Sequence, residues 1–155
     1  FADFMRATKV PPRDTVIAAT PDSRRGETLF ASVGCASCHT PTIVTAPTGT
    51  VINGGAFTVP AALGNKMIHP FSDFLLHDMG SLGDGITQGK ATGRLMRTAP
   101  LWGLRNITTL LHDGRATTPE QAILAHDGQG KKSRDRFTRL SSTENAQLLA
   151  FLGSL

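Results

Sequence analysis

Apolar positions fall into helical spacing mainly towards the two ends of the chain. In "TPDSRRGETLFASVG", residues 20–34, Leu29, Phe30 and Val33 share one helical face. Thr20 can cap that helix, Pro21 suits its first position and Gly34 can stop it, so a helix is predicted to about Val33. Near the other end, Leu148, Leu149, Phe151, Leu152 and Leu155 form a buried stripe. Ser141 and Glu144 ahead of it have the spacing of a capping box. "TTPEQAILAHDG" predicts another helix, with Thr118 as N-cap, Pro119 first, Gln121 as box partner and Gly128 as terminator. "HPFSDFLLHDMG" predicts a short helix closing at Gly80. Residues 40–66, rich in Thr, Pro and Gly, read as a long irregular loop, and "GSLGDGITQGKATG" as a Gly-rich one. With no alternating pattern of useful length, the predicted class is all-α with long loops. Such loops are uncommon in a compact domain unless something organises them, and a large bound cofactor would.

The length of 155 residues suits one domain with a real core. The opening "FADFMRATKVPPRD" reads as a helix end and a proline-rich linker. Residues 1–20 are therefore set apart as the tail of a preceding domain, and 21–155 as the domain itself. No apolar run approaches the roughly 18 residues of a membrane span. The formal charge is +4, but the basic residues are scattered, with one Trp and no Tyr. A nucleic-acid surface needs a basic stripe and stacking platforms, so that class is excluded. A basic surface of this kind suits an acidic protein partner.

The chemistry concentrates in "GCASCHT", which holds both cysteines, Cys35 and Cys38, followed by His39. Thiol–disulfide exchange would place such a pair near a βαβ pattern, which is missing. Structural zinc would want a second pair of cysteines. Covalent haem c needs this spacing: each thiol adds to one vinyl group, and the next residue, His39, ligates iron through Nε2. A second axial ligand would come from Met67, Met79, Met96, His69, His77, His112 or His126. Met79 has the best context, beside Gly80 at the end of the predicted short helix. A thioether there would raise the reduction potential relative to two imidazoles. The His112–Asp113 pair reads as fixing a turn before Gly114.

The blocks "GCASCHTPT", "IHPFSDFLLHDMG", "RTAPLWGL", "LLHDGRATTPEQAILAH" and "LSSTENAQLLAFLGSL" resemble, in order, the C-terminal haem domain of the di-haem oxidoreductase family. That family is related to bacterial di-haem cytochrome c peroxidases. The resemblance implies a cytochrome c-like helical fold whose first and last helices pack together. It also implies a periplasmic location and an N-terminal haem domain or redox protein as partner. Carried over by motif, Cys35, Cys38 and His39 bind haem and Met79 is the matching axial ligand. Arg97, Trp102 and Arg105 would lie near the porphyrin, the arginines pairing with propionates. The sequence departs from the family in holding a single CxxCH, and Leu111 stands where relatives place a Met before His-Asp-Gly.

The resulting expectation is an electron-transfer haem c domain, the C-terminal part of a periplasmic di-haem oxidoreductase. An alternative is a peroxidase or oxygen-activating enzyme at an open haem, with His77 or His112 as the acid–base group. A third reading is a structural haem subunit of a multihaem complex.

Overall fold

The computed structural model describes residues 4, 5 and 8–155. The start of the expected tail, residues 1–3, 6 and 7, lies outside them. Helix α2 (Pro21–Val33) forms as its signals predict: the Thr20 hydroxyl accepts from the Ser23 amide, and Gly34 ends the helix in the left-handed region at φ 100°. Helix α5 (Ser142–Leu152) begins with the complete Ser141–Glu144 capping box. The two helices form the main packing pair of the domain. Gly26 sits at their crossing, where a Cβ would lie 2.0 Å from the Gln147 carbonyl oxygen. Any side chain there would force the helices apart.

Leu29, Phe30 and Val33 from α2 meet Leu148, Phe151, Leu152 and Leu155 in one core, joined by Phe71 and Phe137. Phe30, Phe71 and Phe151 form an aromatic triangle with ring centres 5.2–6.0 Å apart. That spacing is favourable for tilted and edge-on rings. Through Phe71 the core reaches directly towards His39.

The fold is mainly helical, but it departs from the all-α expectation. Three antiparallel pairs interrupt the loops: β1 (Ile43–Val44) with β4 (Met67–Ile68), β2 (Val51–Ile52) with β3 (Phe57–Thr58), and β5 (Leu76–Asp78) with β6 (Leu95–Arg97). Strands of two or three residues are too short to display a period-two pattern. The short helix expected before Gly80 does not form. Phe71 and Phe74 hold left-handed backbone, at φ 50° and 57°, and the chain then enters β5.

Helix α3 (Pro119–Leu124) also stops earlier than Gly128. The chain turns at Ala125 because Asp127 is engaged elsewhere, accepting from the amide and hydroxyl of Ser81. Gln121 reaches back to the amide of Thr117, one residue before the cap, not to that of Thr118. A 3-10 turn (Gly128–Gly130) leads into an unforeseen helix, α4 (Lys131–Phe137).

Residues 11–18 lie against the rest of the chain. Helix α1 (Thr15–Ala18) is capped by Asp14, whose amide donates to the Ser154 carbonyl at 2.8 Å. Arg13 bonds the Ser154 hydroxyl and lies over the Phe151 ring. Among the described residues no helix is long and apolar enough to cross a membrane.

Candidate haem centre

Gly34 turns the chain out of α2 directly into the Cys35–Ser37 3-10 turn. The His39 amide donates to the Cys35 carbonyl at 2.9 Å, so the five residues of the motif close one helical turn on themselves. A second segment is strapped across it: the Asp73 amide donates to the Cys38 carbonyl and the Ser72 amide to that of Thr40. This strap delivers the Phe71 carbonyl to His39 Nδ1 at 2.9 Å. The strained backbone at Phe71 and Phe74 lies where that delivery is made.

With its Nδ1 proton donated to Phe71, His39 keeps its lone pair on Nε2, which takes no hydrogen bond from a described residue. Burial lowers its pKa to about 4, against the opposing pull of the Phe71 carbonyl, so the ring is neutral. Both cysteines are free of a disulfide. Burial pushes the Cys35 thiol up to about 11 and also raises that of Cys38, with the Asp73 charge adding to the latter. These are protonated thiols in a local turn beside an imidazole with an open nitrogen. That donor set suits covalent haem c far better than a thiolate nucleophile or a redox dithiol, both of which need a lowered thiol pKa.

Around this motif stand side chains from three other segments. His77 Nε2 lies 2.8 Å from the Asp73 carboxylate, and Cys38, Asp73 and His77 bring one donor atom each within 4.8 Å of one another. Burial opposes ionisation of Asp73, but the Leu75 amide and His77 hold its carboxyl below the ordinary range. The His126 ring centre is 6.4 Å from that of His39. Met79 follows β5, and its methyl and the His126 Cδ2 each lie 3.1 Å from where a Cβ on Gly130 would stand, so both side chains approach that glycine. The Met79 loop and the His126 loop are joined by the Asp127–Ser81 bonds and by the Gln129 side chain, which accepts from the Asp78 amide.

The remaining candidates are dispersed. Met67 is 68% exposed and His69 bonds Thr42. Met96 pairs with His77 across β5 and β6. His112 is exposed, and Asp113 pairs with Arg115. Arg97 is exposed on β6, opposite Leu76. Trp102 tilts against Phe74 and lines a cavity of about 500 Å³ with residues 10–13, Met67, His69 and Phe71. The Arg105 guanidinium donates to the carbonyls of Leu155 and Pro12, clamping the tail onto the domain. The sequence did not single out the Phe71 carbonyl or Asp73. A backbone acceptor leaves no residue-type signal, and Asp73 lies amid the block read as a helix.

Fold and motif together define a mainly helical domain with a single haem c attachment site at Cys35, Cys38 and His39. The chain matches the family model described as "Di-haem oxidoreductase, putative peroxidase" over residues 3–155, and it belongs to that family. A search of curated proteins returns no match. Among solved structures, it is similar to a chain of Kuenenia stuttgartiensis hydrazine synthase pressurised with 20 bar xenon, with a TM-score of 0.59 and 21% identity. That likeness covers 98% of this chain and 52% of the other, so the present chain spans about half the length of the one it resembles.

Proposed function

We infer that this domain is the electron-transfer half of a two-haem periplasmic oxidoreductase. The observation that carries the reading is the His39–Phe71 hydrogen bond within a self-closed CxxCH turn. It presents two thiols and one oriented imidazole nitrogen to a single bound group. When bound, haem c supplies a one-electron Fe(III)/Fe(II) couple whose potential the protein sets through ligands and burial. Cys35 and Cys38 fix the macrocycle, and His39 is aimed by Phe71. The strap over residues 71–73 and the loops carrying Met79 and His126 shield the motif from water, in a cytochrome c-like arrangement. On this reading a further ligand to the iron would come from one of those two loops.

Lys131, Lys132, Asp135 and Arg136 of α4 line a shallow groove with Gly128 and Arg139, so its cations outnumber its one carboxylate. A basic face beside the site suits docking of an acidic redox partner or a second haem-bearing domain. The enzyme reading draws on His77, hydrogen-bonded to Asp73 and close to Cys38, as an acid–base pair. His112, being exposed, gives it less support.

One experiment separates these readings. Matured in an extracytoplasmic compartment, the denatured chain should keep one haem, and Cys35→Ala with Cys38→Ala should lose it by mass. A reduced protein whose spectrum ignores carbon monoxide and peroxide supports electron transfer. A high-spin spectrum that shifts with either ligand supports the peroxidase.

A further inference from the structure

Two imidazoles come together at the haem centre. The rings of His39 and His126 have centres 6.4 Å apart and planes inclined at 50°. Each donates its Nδ1 proton to a backbone carbonyl, His39 to Phe71 at 2.9 Å and His126 to Ala122 at 2.7 Å. Both rings therefore hold their lone pair on Nε2. This is the tautomer that a carbonyl hydrogen-bonded behind the ring imposes on metal-binding histidines.

Every polar atom of His126 apart from that nitrogen has a hydrogen-bond partner. Its amide donates to the Ile123 carbonyl at 3.1 Å, and its own carbonyl accepts from Arg134 at 2.9 Å. The residue is clamped from both directions, by the last turn of α3 behind it and by the Asp127–Ser81 bonds ahead of it. Nε2 takes no hydrogen bond from a described residue. A metal in line between two imidazoles, with bonds of about 2 Å and about 1 Å from each Nε2 to its ring centre, spaces the centres about 6 Å apart. The observed separation has that size.

We propose that His126, rather than Met79, is the second axial ligand of the iron held by Cys35, Cys38 and His39. The proposal rests on the haem c reading above. Met79 then turns its methyl towards Gly130, which the His126 side chain also approaches, and serves as a wall of the site. Two imidazoles set a lower reduction potential than an imidazole and a thioether would. The domain is thereby tuned as a low-potential relay with both axial positions filled.

The test uses the haem-loaded protein, its His126→Gly and its Met79→Leu variants. A pyridine haemochrome assay first establishes thioether-linked haem in each; its failure in the wild type would overturn the haem reading itself, and this proposal with it. With haem attached, oxidised wild type should give the low-spin magnetic-resonance and near-infrared signature of two imidazoles and lack the red charge-transfer band of a thioether–iron(III) bond. Met79→Leu should keep that signature. His126→Gly should lose it and bind carbon monoxide when reduced, and added imidazole should restore it. A thioether band in the wild type that vanishes in Met79→Leu overturns the proposal, as does a high-spin wild type. The wild-type and Met79→Leu spectra decide the matter even if His126→Gly fails to fold.

Discussion

The Phe71 carbonyl accepts the Nδ1 proton of His39 at 2.9 Å, from a residue whose backbone sits in the left-handed region and whose ring is buried in the core. The aromatic core and the orientation of the proximal imidazole are thus set by one residue. Damage to the core should therefore register at the site, which makes core variants informative about both.

Leu152 is 4% exposed and belongs to that core. Leu152→Ala should cost roughly 2–5 kcal/mol, the range for a buried Leu whose cavity collapses only in part. Denaturant unfolding of the haem-loaded protein measures it. A loss below about 0.5 kcal/mol would indicate a surface-like site.

Gly26→Ala should be among the most damaging small substitutions, because its Cβ would meet the Gln147 carbonyl oxygen at 2.0 Å and the Phe151 Cβ at 2.8 Å. Backbone on one side leaves no flexible group to yield, so a cost of about 3 kcal/mol or more is expected, at or above the usual range for overpacking. Gly153→Ala is the control. Its nearest contact is 3.4 Å, and a change within about 0.5 kcal/mol is expected by the same melts.

Arg105→Ala should leave the haem absorption spectrum and potential unaltered. The guanidinium is occupied by the carbonyls of Leu155 and Pro12. What should change is the hold on the tail: limited proteolysis should cut within residues 8–14 faster than in the wild type. A shifted potential would instead place this arginine at the cofactor.

Asp127 gives a pH-dependent prediction. The Ser81 amide and hydroxyl and the Gly128 amide hold its carboxyl at about 2, below the ordinary 3.8. The folded state therefore binds this proton less readily than the unfolded chain. The resulting stabilisation is full above the ordinary value and disappears as pH falls towards about 2. Asp127→Asn should lower the melting temperature at pH well above that window. The gap to wild type should narrow as the pH is lowered through it.

How legible these features were in the sequence depended on the range of the forces behind them. The helix signals at Thr20–Pro21, Gly34 and Ser141–Glu144 act over four residues and correspond to the observed caps. The CxxCH turn is likewise local. The Asn53-Gly54-Gly55 turn of the β2–β3 pair could have been read from its letters, since all three residues take positive φ. The block before Gly80 misled because its apolar spacing suits a helix, whereas strapping to the motif carbonyls selects another backbone. The early end of α3 is a tertiary effect: Asp127 is drawn to Ser81, which lies 46 residues away. The meeting of His39 and His126 depends on the same long-range closure, so local context singled out Met79 among the candidates and carried no sign of that juxtaposition.

The α2–α5 crossing also fixes an order of events during biosynthesis. Helix α5 is made roughly a hundred residues after His39, and without it Leu29, Phe30 and Val33 have lost most of their partners. The cysteines therefore emerge on a chain that cannot yet close, while the hydrogen bond from the His39 amide to the Cys35 carbonyl can form within the turn alone. A maturation enzyme would meet an accessible, locally shaped motif, and the arrival of α5 would shut the site behind it. Chains that close before modification would instead present Cys35 and Cys38 as half-buried thiols whose burial disfavours the thiolate.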